Sequence, residues 1–216
     1  MANLLIIGAS KGIGLATVRE GLERGHQVTA FARSASEMQL AHDRLRKCDG
    51  DARDETVLTD LVAGHDAVIM TLGVPFNLKL LTGPIILFSE ATIALIGAMS
   101  GHQTDRLIVV TGFGAGESRT AISPLQKLPF NAVFGRAYAD KTLQEDMIKA
   151  SDLRWTLVRP GVLTDGEKTE SYRVATDIDN MKNGTISRAD VAHFLINEVE
   201  TDEHVGQGPV LSNPFF

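Results

Sequence analysis

The apolar run Leu4 to Ile7 passes without a break into the glycine-rich turn GASKGIG and then into a helical pattern. Few folds accept that order. Gly8 permits a sharp turn out of the strand, the missing Cβ at Gly12 lets an anion approach the backbone, and Gly14 lets the helix pack close to the strand, at Val18 and Leu22 one and two turns on. The amides at the helix N-terminus then face whatever the loop holds, which favours phosphate. Ser10, Lys11 and Ile13 complete the loop. This spacing predicts a pyrophosphate site, provided that alternating strands and helices follow.

They do follow. Short β-branched runs predict strands at Asn3 to Ile7, Gln27 to Ala32, Arg44 to Cys48, Asp66 to Thr71, Arg106 to Thr111 and Arg154 to Val158. Helical patterns separate them at Gly12 to Arg24, Asp54 to Ala63, Phe88 to Ser100 and about Arg136 to Ala150, with Gly25, Gly64 and Gly101 as stops for the first three. A last helix is predicted from Ser187, whose hydroxyl caps the Asp190 amide, to about Val199, and the tail GPVLS is expected to add a short edge strand. Several strands are apolar on both faces, as when helices cover each side. The expected fold is α/β, a doubly wound parallel sheet of the Rossmann type. No repeat or linker divides the 216 residues, so residues 1–216 are expected to form one dinucleotide-binding domain with a small substrate-side portion at about 160–216.

In such a sheet ligands bind along the carboxyl ends of the strands. After the second strand, where Asp or Glu would hold a free ribose 2′-hydroxyl, stands Arg33, followed by Ser34 and Ser36. A guanidinium with neighbouring hydroxyls and no carboxylate to repel a 2′-phosphate favours NADP(H) over NAD(H), and Lys11 can reach the same phosphate. In DGDARD, Asp51 can accept the adenine amino group and Ala52 can pack on the ring. In TLGVP, Leu72 and Gly73 allow backbone approach to the ribose, and in RPGVL, Pro160, Gly161 and Val162 turn the chain beside the nicotinamide.

Other chemistries are excluded by content. A single cysteine, Cys48, forms neither an internal disulfide nor a thiolate metal cage, and the six histidines show no i, i+4 pair, so no metal site is expected. The net charge of −6 comes without a basic run, which argues against nucleic acid. No apolar run reaches bilayer-spanning length and no signal peptide is evident, so a cytoplasmic protein without membrane contact, monomeric or homodimeric, is expected.

GASKGIG, GDARD, DAVIMTLG, LIVVTGFGAG and DLRWTLVRPGVLTDG, in that order, resemble the atypical short-chain dehydrogenase/reductases. The subgroup they resemble most is that of NAD(P)H-binding proteins similar to biliverdin-IXβ/flavin reductase and to NmrA-like regulators. The likeness runs from Asn3 to about Val199. It implies an NADPH-dependent reductase, a nonenzymatic NADP(H) sensor, or a sugar-nucleotide epimerase or dehydratase. Members with the Tyr-Lys pair place the two residues four apart on one helix. Here YADK sets Tyr138 and Lys141 three apart, and Thr142 occupies the expected lysine position. The ammonium then approaches from a different side, about 60° one way round the helix rather than about 40° the other. Two readings follow: Tyr138 as an acid with Lys141 on the cofactor, or a packed Tyr138 with a surface Lys141 pairing Glu145.

The serine expected after the fifth strand is replaced by Thr111 and Gly112, so Thr111, Tyr138 and Lys141 are the catalytic candidates, with Thr111 and Lys141 also as cofactor contacts. Gly112, Gly114 and Gly116 suggest either a lid, with Phe113 stacking on a planar substrate, or a plain flexible loop, and no helix is expected directly after them. Pro124, Pro129, Phe130 and Phe134 are expected to wall an apolar substrate pocket. A small planar acceptor such as a flavin, quinone or bilin suits such a wall better than a sugar.

Overall fold

A computed structural model describes residues 1–74, 85–122 and 124–214, without the side chains of 124–133 and 214. Strand β1 (Asn3–Ile7) lies mid-sheet between two parallel partners, β2 (Gln27–Ala32) and β4 (Ala67–Met70). β3 (Leu45–Asp49) pairs beyond β2, while β5 (Arg106–Val110) and β6 (Arg154–Pro160) continue beyond β4. The order β3-β2-β1-β4-β5-β6 reverses direction between β1 and β4, which makes the sheet doubly wound and opens a crevice at that point.

The helices are α1 (Gly12–Glu23), α2 (Glu55–Val62), α3 (Leu87–Ser100), α4 (Pro124–Lys149) and α5 (Arg188–Thr201). Leu4 and Ile6 face one side with Val28, Ala30 and Ile69, beneath Val18 and Leu22 of α1 and Val191 and Leu195 of α5. Leu5 and Ile7 face the other with Phe31, Val68 and Met70, against Leu58 of α2, Leu95 and Met99 of α3 and Ile148 of α4. Leu4, Leu5, Ile6 and Ile7 are all completely buried, which is why β1 is apolar on successive residues after Asn3 rather than alternating. Each such side chain contributes about 1.5–3 kcal/mol by leaving water.

Strand and helix boundaries fall within a few residues of those predicted, with two exceptions. α4 begins at Pro124 rather than near Arg136, so the proline- and phenylalanine-rich stretch belongs to this helix. The tail strand β10 (Val210–Pro214) is not at an edge. It pairs parallel with β6 and antiparallel with β8 (Arg173–Ala175) and β9 (Gly184–Ser187), and β7 (Val162–Thr164) lies beyond β9. The physical reason is long-range: the Arg159 amide donates to the Pro209 carbonyl and its guanidinium to the Gly208 carbonyl, 2.9 and 3.0 Å, drawing the tail against β6. Among the described residues no helix is long and apolar enough to cross a membrane.

Candidate active site

The glycine turn folds as its sequence requires at two levels. Gly8 has φ +86°, and a Cβ there would meet the Thr71 carbonyl at 3.0 Å, because β4 ends directly beneath the turn. Gly14 lies on the Gly8 carbonyl with no room for a methyl group, so it serves helix packing and does not line the cleft. Gly12 differs. Its φ is +59°, and the nearest atom to an added Cβ is the Arg188 Nε at 3.9 Å, so the backbone is open to a ligand. Alanine at Gly12 would carry the backbone strain of a left-handed residue, about 1–2 kcal/mol, as well as intrude on that approach. No side chain caps α1 and no acid stands in its first turn, leaving its amides and dipole to the cleft.

A cleft of about 1080 Å³ runs along the carboxyl ends of the strands. Gly8, Ser10, Lys11, Gly12 and Ile13 line it at the glycine turn; Arg33, Asp51 and Ala52 line its β2–β3 end; Leu72 and Gly73 follow β4. Thr111, Lys141, Pro160 and Gly161 line the opposite end. Val162 does not: its side chain is half exposed, and the alternation of β7 puts Leu163 into the cleft instead.

The β2–β3 end departs from expectation in three respects. Ser36 is not available, because its amide and hydroxyl both donate to the Asp49 carboxylate, 2.8 and 2.5 Å. A carboxylate is present after all. The chain turns back after Ala32 on the buried Ala35 and Met38, with Lys47 Nζ donating to the Met38 carbonyl at 2.8 Å, and this turn brings the exposed Glu37 to the cleft beside Arg33. Asp51 accepts from the Arg53 guanidinium at 2.6 and 3.0 Å, and that pairing holds its carboxyl down at about 2.

At the other end, α4 supplies the candidate side chains. Tyr138 packs over the loop: its hydroxyl would lie 2.6 Å from a Cβ at Gly112, whose φ is +140°. Burial pushes the phenol up to about 12, so it is protonated at neutral pH and can donate. Phe134, one turn earlier, meets the Tyr138 ring edge-to-face at 6.3 Å and also lines the cleft. Lys141 is buried rather than on the helix surface. It donates to the Thr111 carbonyl and, at 3.4 Å, to that of Val110, and its ammonium stands 4.4 Å from the centre of the Phe88 ring. Desolvation lowers it to about 8.

Glu145, expected as the partner of Lys141, serves other groups. It accepts from the Thr111 hydroxyl at 2.7 Å and from Arg159 Nε and Nη2 at 3.0 and 2.7 Å, all three residues being buried. Thr111 is thereby held by its hydroxyl from behind and by its carbonyl through Lys141. Thr142 binds the glycine-rich loop, accepting from the Gly116 amide at 3.1 Å. Asp140 completes YADK by accepting from the Phe88 amide at 2.8 Å, capping α3 from another helix and fixing Phe88 beneath Lys141. Asp140, Arg159 and Arg188 were not singled out by sequence, and Glu145 was named only as a partner for Lys141. The only signal for Arg159 was an arginine directly after the apolar pair Leu157–Val158.

The loop after β5 is no lid with a stacking ring. Phe113 is buried with Ile122, Met181 and Val210, away from the cleft, and a 3-10 turn (Gly116–Ala121) follows the glycines directly. Pro124, Pro129 and Phe130 lie outside the described side chains. Away from the cleft, Glu198, Glu203 and His204 gather ligand-type atoms, but Glu198 already holds Arg106 and His204.

Residues 8–202 match the family described as NAD(P)H-binding. The chain belongs to that family. A relative 30% identical over 213 residues, covering 92% of each chain, is YwnB, an uncharacterized protein of Bacillus subtilis (strain 168). Among solved structures, ChuY, an anaerobillin reductase from Escherichia coli O157:H7, is 26% identical with a TM-score of 0.81, covering 99% of this chain and 98% of its own. SP1627 of Streptococcus pneumoniae TIGR4, described as a candidate NADH-flavin reductase, is 28% identical with a TM-score of 0.78, covering 99% and 100%. The reductase class expected from sequence is the class named for ChuY and SP1627. The open approach at Gly12 and the continuous cleft fit an extended nicotinamide dinucleotide.

Proposed function

We propose that this chain is an NADPH-dependent reductase that passes hydride to a small planar acceptor such as a flavin, quinone or bilin. The observation that carries the reading is the make-up of the cleft beyond Thr111: among the described residues, the rings of Phe88, Phe134 and Tyr138 and the side chain of Leu72 give apolar surfaces, with Lys141 beneath. The nicotinamide supplies the hydride when bound. The protein's share is positioning. The glycine turn holds the diphosphate, Thr111 and Pro160 fix the strand ends, and the Tyr138 hydroxyl, protonated at neutral pH, donates the proton that accompanies the hydride. Arg33 and Lys11 support a 2′-phosphate, and the exposed Glu37 beside Arg33 limits that preference.

A redox sensor that binds NADP(H) without turnover is the second reading, favoured by the three-residue Tyr138–Lys141 spacing. Following NADPH absorbance with FMN, a quinone and a bilin in turn separates the two. Oxidation with any of them supports the reductase. Tight NADPH binding with no oxidation in all three overturns it in favour of the sensor.

A further inference from the structure

We infer that Arg188 is a diphosphate-binding residue, reaching the cofactor from α5 on the side of the cleft facing the glycine turn. This rests on the nicotinamide-dinucleotide reading of the cleft and adds to it a contact from a distant part of the chain. Arg188 is the first residue of α5, and its backbone is fixed by the Ser187 cap, whose hydroxyl accepts from the Asp190 amide at 2.9 Å. From there the side chain extends into the cleft, where its Nε stands 3.9 Å from the position of a Cβ on Gly12. Gly12 is the residue at which the backbone is open to an anion, so the guanidinium overhangs the opening.

The partner that Arg188 has in this structure is a weak competitor. Its Nη1 donates to Asp165 Oδ1 at 2.5 Å, but the Asp165 side chain is 90% exposed while that of Arg188 is 31% exposed. An ion pair so open to water is worth little. A diphosphate between Arg188 and the α1 amides offers several charged oxygens, two of which the planar guanidinium fork can hold at once. The first turn of α1 carries no acid that would oppose the anion.

Arg188 and Arg33 then have separable duties. Arg188 meets a group that NADPH and NADH share, whereas Arg33 meets the 2′-phosphate that only NADPH carries. The test is calorimetric titration of the intact protein and of Arg188→Ala and Arg188→Lys with NADPH, NADH and adenosine 2′-monophosphate, which lacks the diphosphate. Loss of a charge-assisted contact predicts a Kd about ten- to a hundredfold higher in Arg188→Ala for both dinucleotides by the same factor. Adenosine 2′-monophosphate should stay within about twofold, and Arg188→Lys, which keeps the charge, should bind both dinucleotides more tightly than Arg188→Ala. Unchanged dinucleotide affinity in Arg188→Ala, or a loss confined to NADPH, overturns the inference. An unmutated protein that binds neither dinucleotide overturns the nicotinamide reading itself, and a different result is thus read for each.

Discussion

Lys141→Met should make the protein more stable at neutral pH while impairing its use of NADPH. Lys141 is buried, and its ordinary value of 10.5 falls to about 8 because burial disfavours the charged form. At pH 7 the ammonium is charged in both the folded and unfolded states, so the folded state carries the net cost of that shift, desolvation less the attraction of Glu145 and Asp140, about 3 kcal/mol. Methionine of similar length removes that cost but leaves the Thr111 and Val110 carbonyls without their donor, a loss of about 1 kcal/mol. The net expectation is a gain of about 1–2 kcal/mol. The pH dependence is distinctive. Between pH 8 and 10.5 the unfolded chain still binds the proton that the folded protein has released, so the parent gains stability as pH rises through this window. The advantage of Lys141→Met should therefore shrink or reverse by pH 10.5. Urea unfolding of both proteins at several pH values reads this directly, and NADPH titration kinetics should show a raised apparent KM. A variant less stable than the parent at pH 7, or a difference that does not change with pH, would refute the argument.

Arg33→Ala should weaken NADPH by about 1.5 kcal/mol and leave NADH unchanged by calorimetry, the low end of a charge-assisted bond because Arg33 is exposed and stands beside Glu37. Equal losses for both cofactors would remove Arg33 from the 2′-phosphate. Tyr138→Phe should lower kcat by less than about 100-fold, since a flavin-like acceptor can also take its proton from water; a drop of several thousandfold would make the phenol indispensable. Arg159→Met should cost about 3–5 kcal/mol in denaturant unfolding by taking the guanidinium from the buried Glu145 carboxylate, which keeps only the longer Lys149 ion pair at 3.9 Å, and adding Glu145→Leu should restore at least half of it. A single-variant loss below about 1 kcal/mol would show that the pair is not what holds Thr111 in place.

The parallel sheet was legible because its signals are local. Leu4 to Ile7 is apolar on successive residues, and Gly8, Gly12 and Gly14 punctuate the turn at the spacing a pyrophosphate loop needs. The tail was not, because GPVLS carries no mark of the Arg159 hydrogen bonds that draw it inside the sheet. The cleft was legible wherever a turn residue had to sit at a strand end. Side-chain direction was harder: Phe113 and Val162 occupy suitable positions in the chain but point elsewhere, a matter decided by β-alternation and by the cluster around Met181. Lys141 illustrates the same limit. Helical spacing offers it Glu145, yet in the folded chain Lys141 is buried on the Thr111 carbonyl and Glu145 goes to Arg159. Arg188 joins the glycine turn from a helix that starts more than 170 residues later, a distance no local pattern spans.

Hydride transfer is read directly in a single turnover of the saturated protein–NADPH complex mixed anaerobically with FMN, a quinone or a bilin. The nicotinamide carries either hydrogen or deuterium at the transferring C4 position. The structure predicts that at least one acceptor is reduced as NADPH is consumed, in equal amounts, and that deuterium slows the step. If a complex shown to be saturated reduces none of the three acceptors, the cleft binds its nucleotide without using it, and the reductase account is wrong.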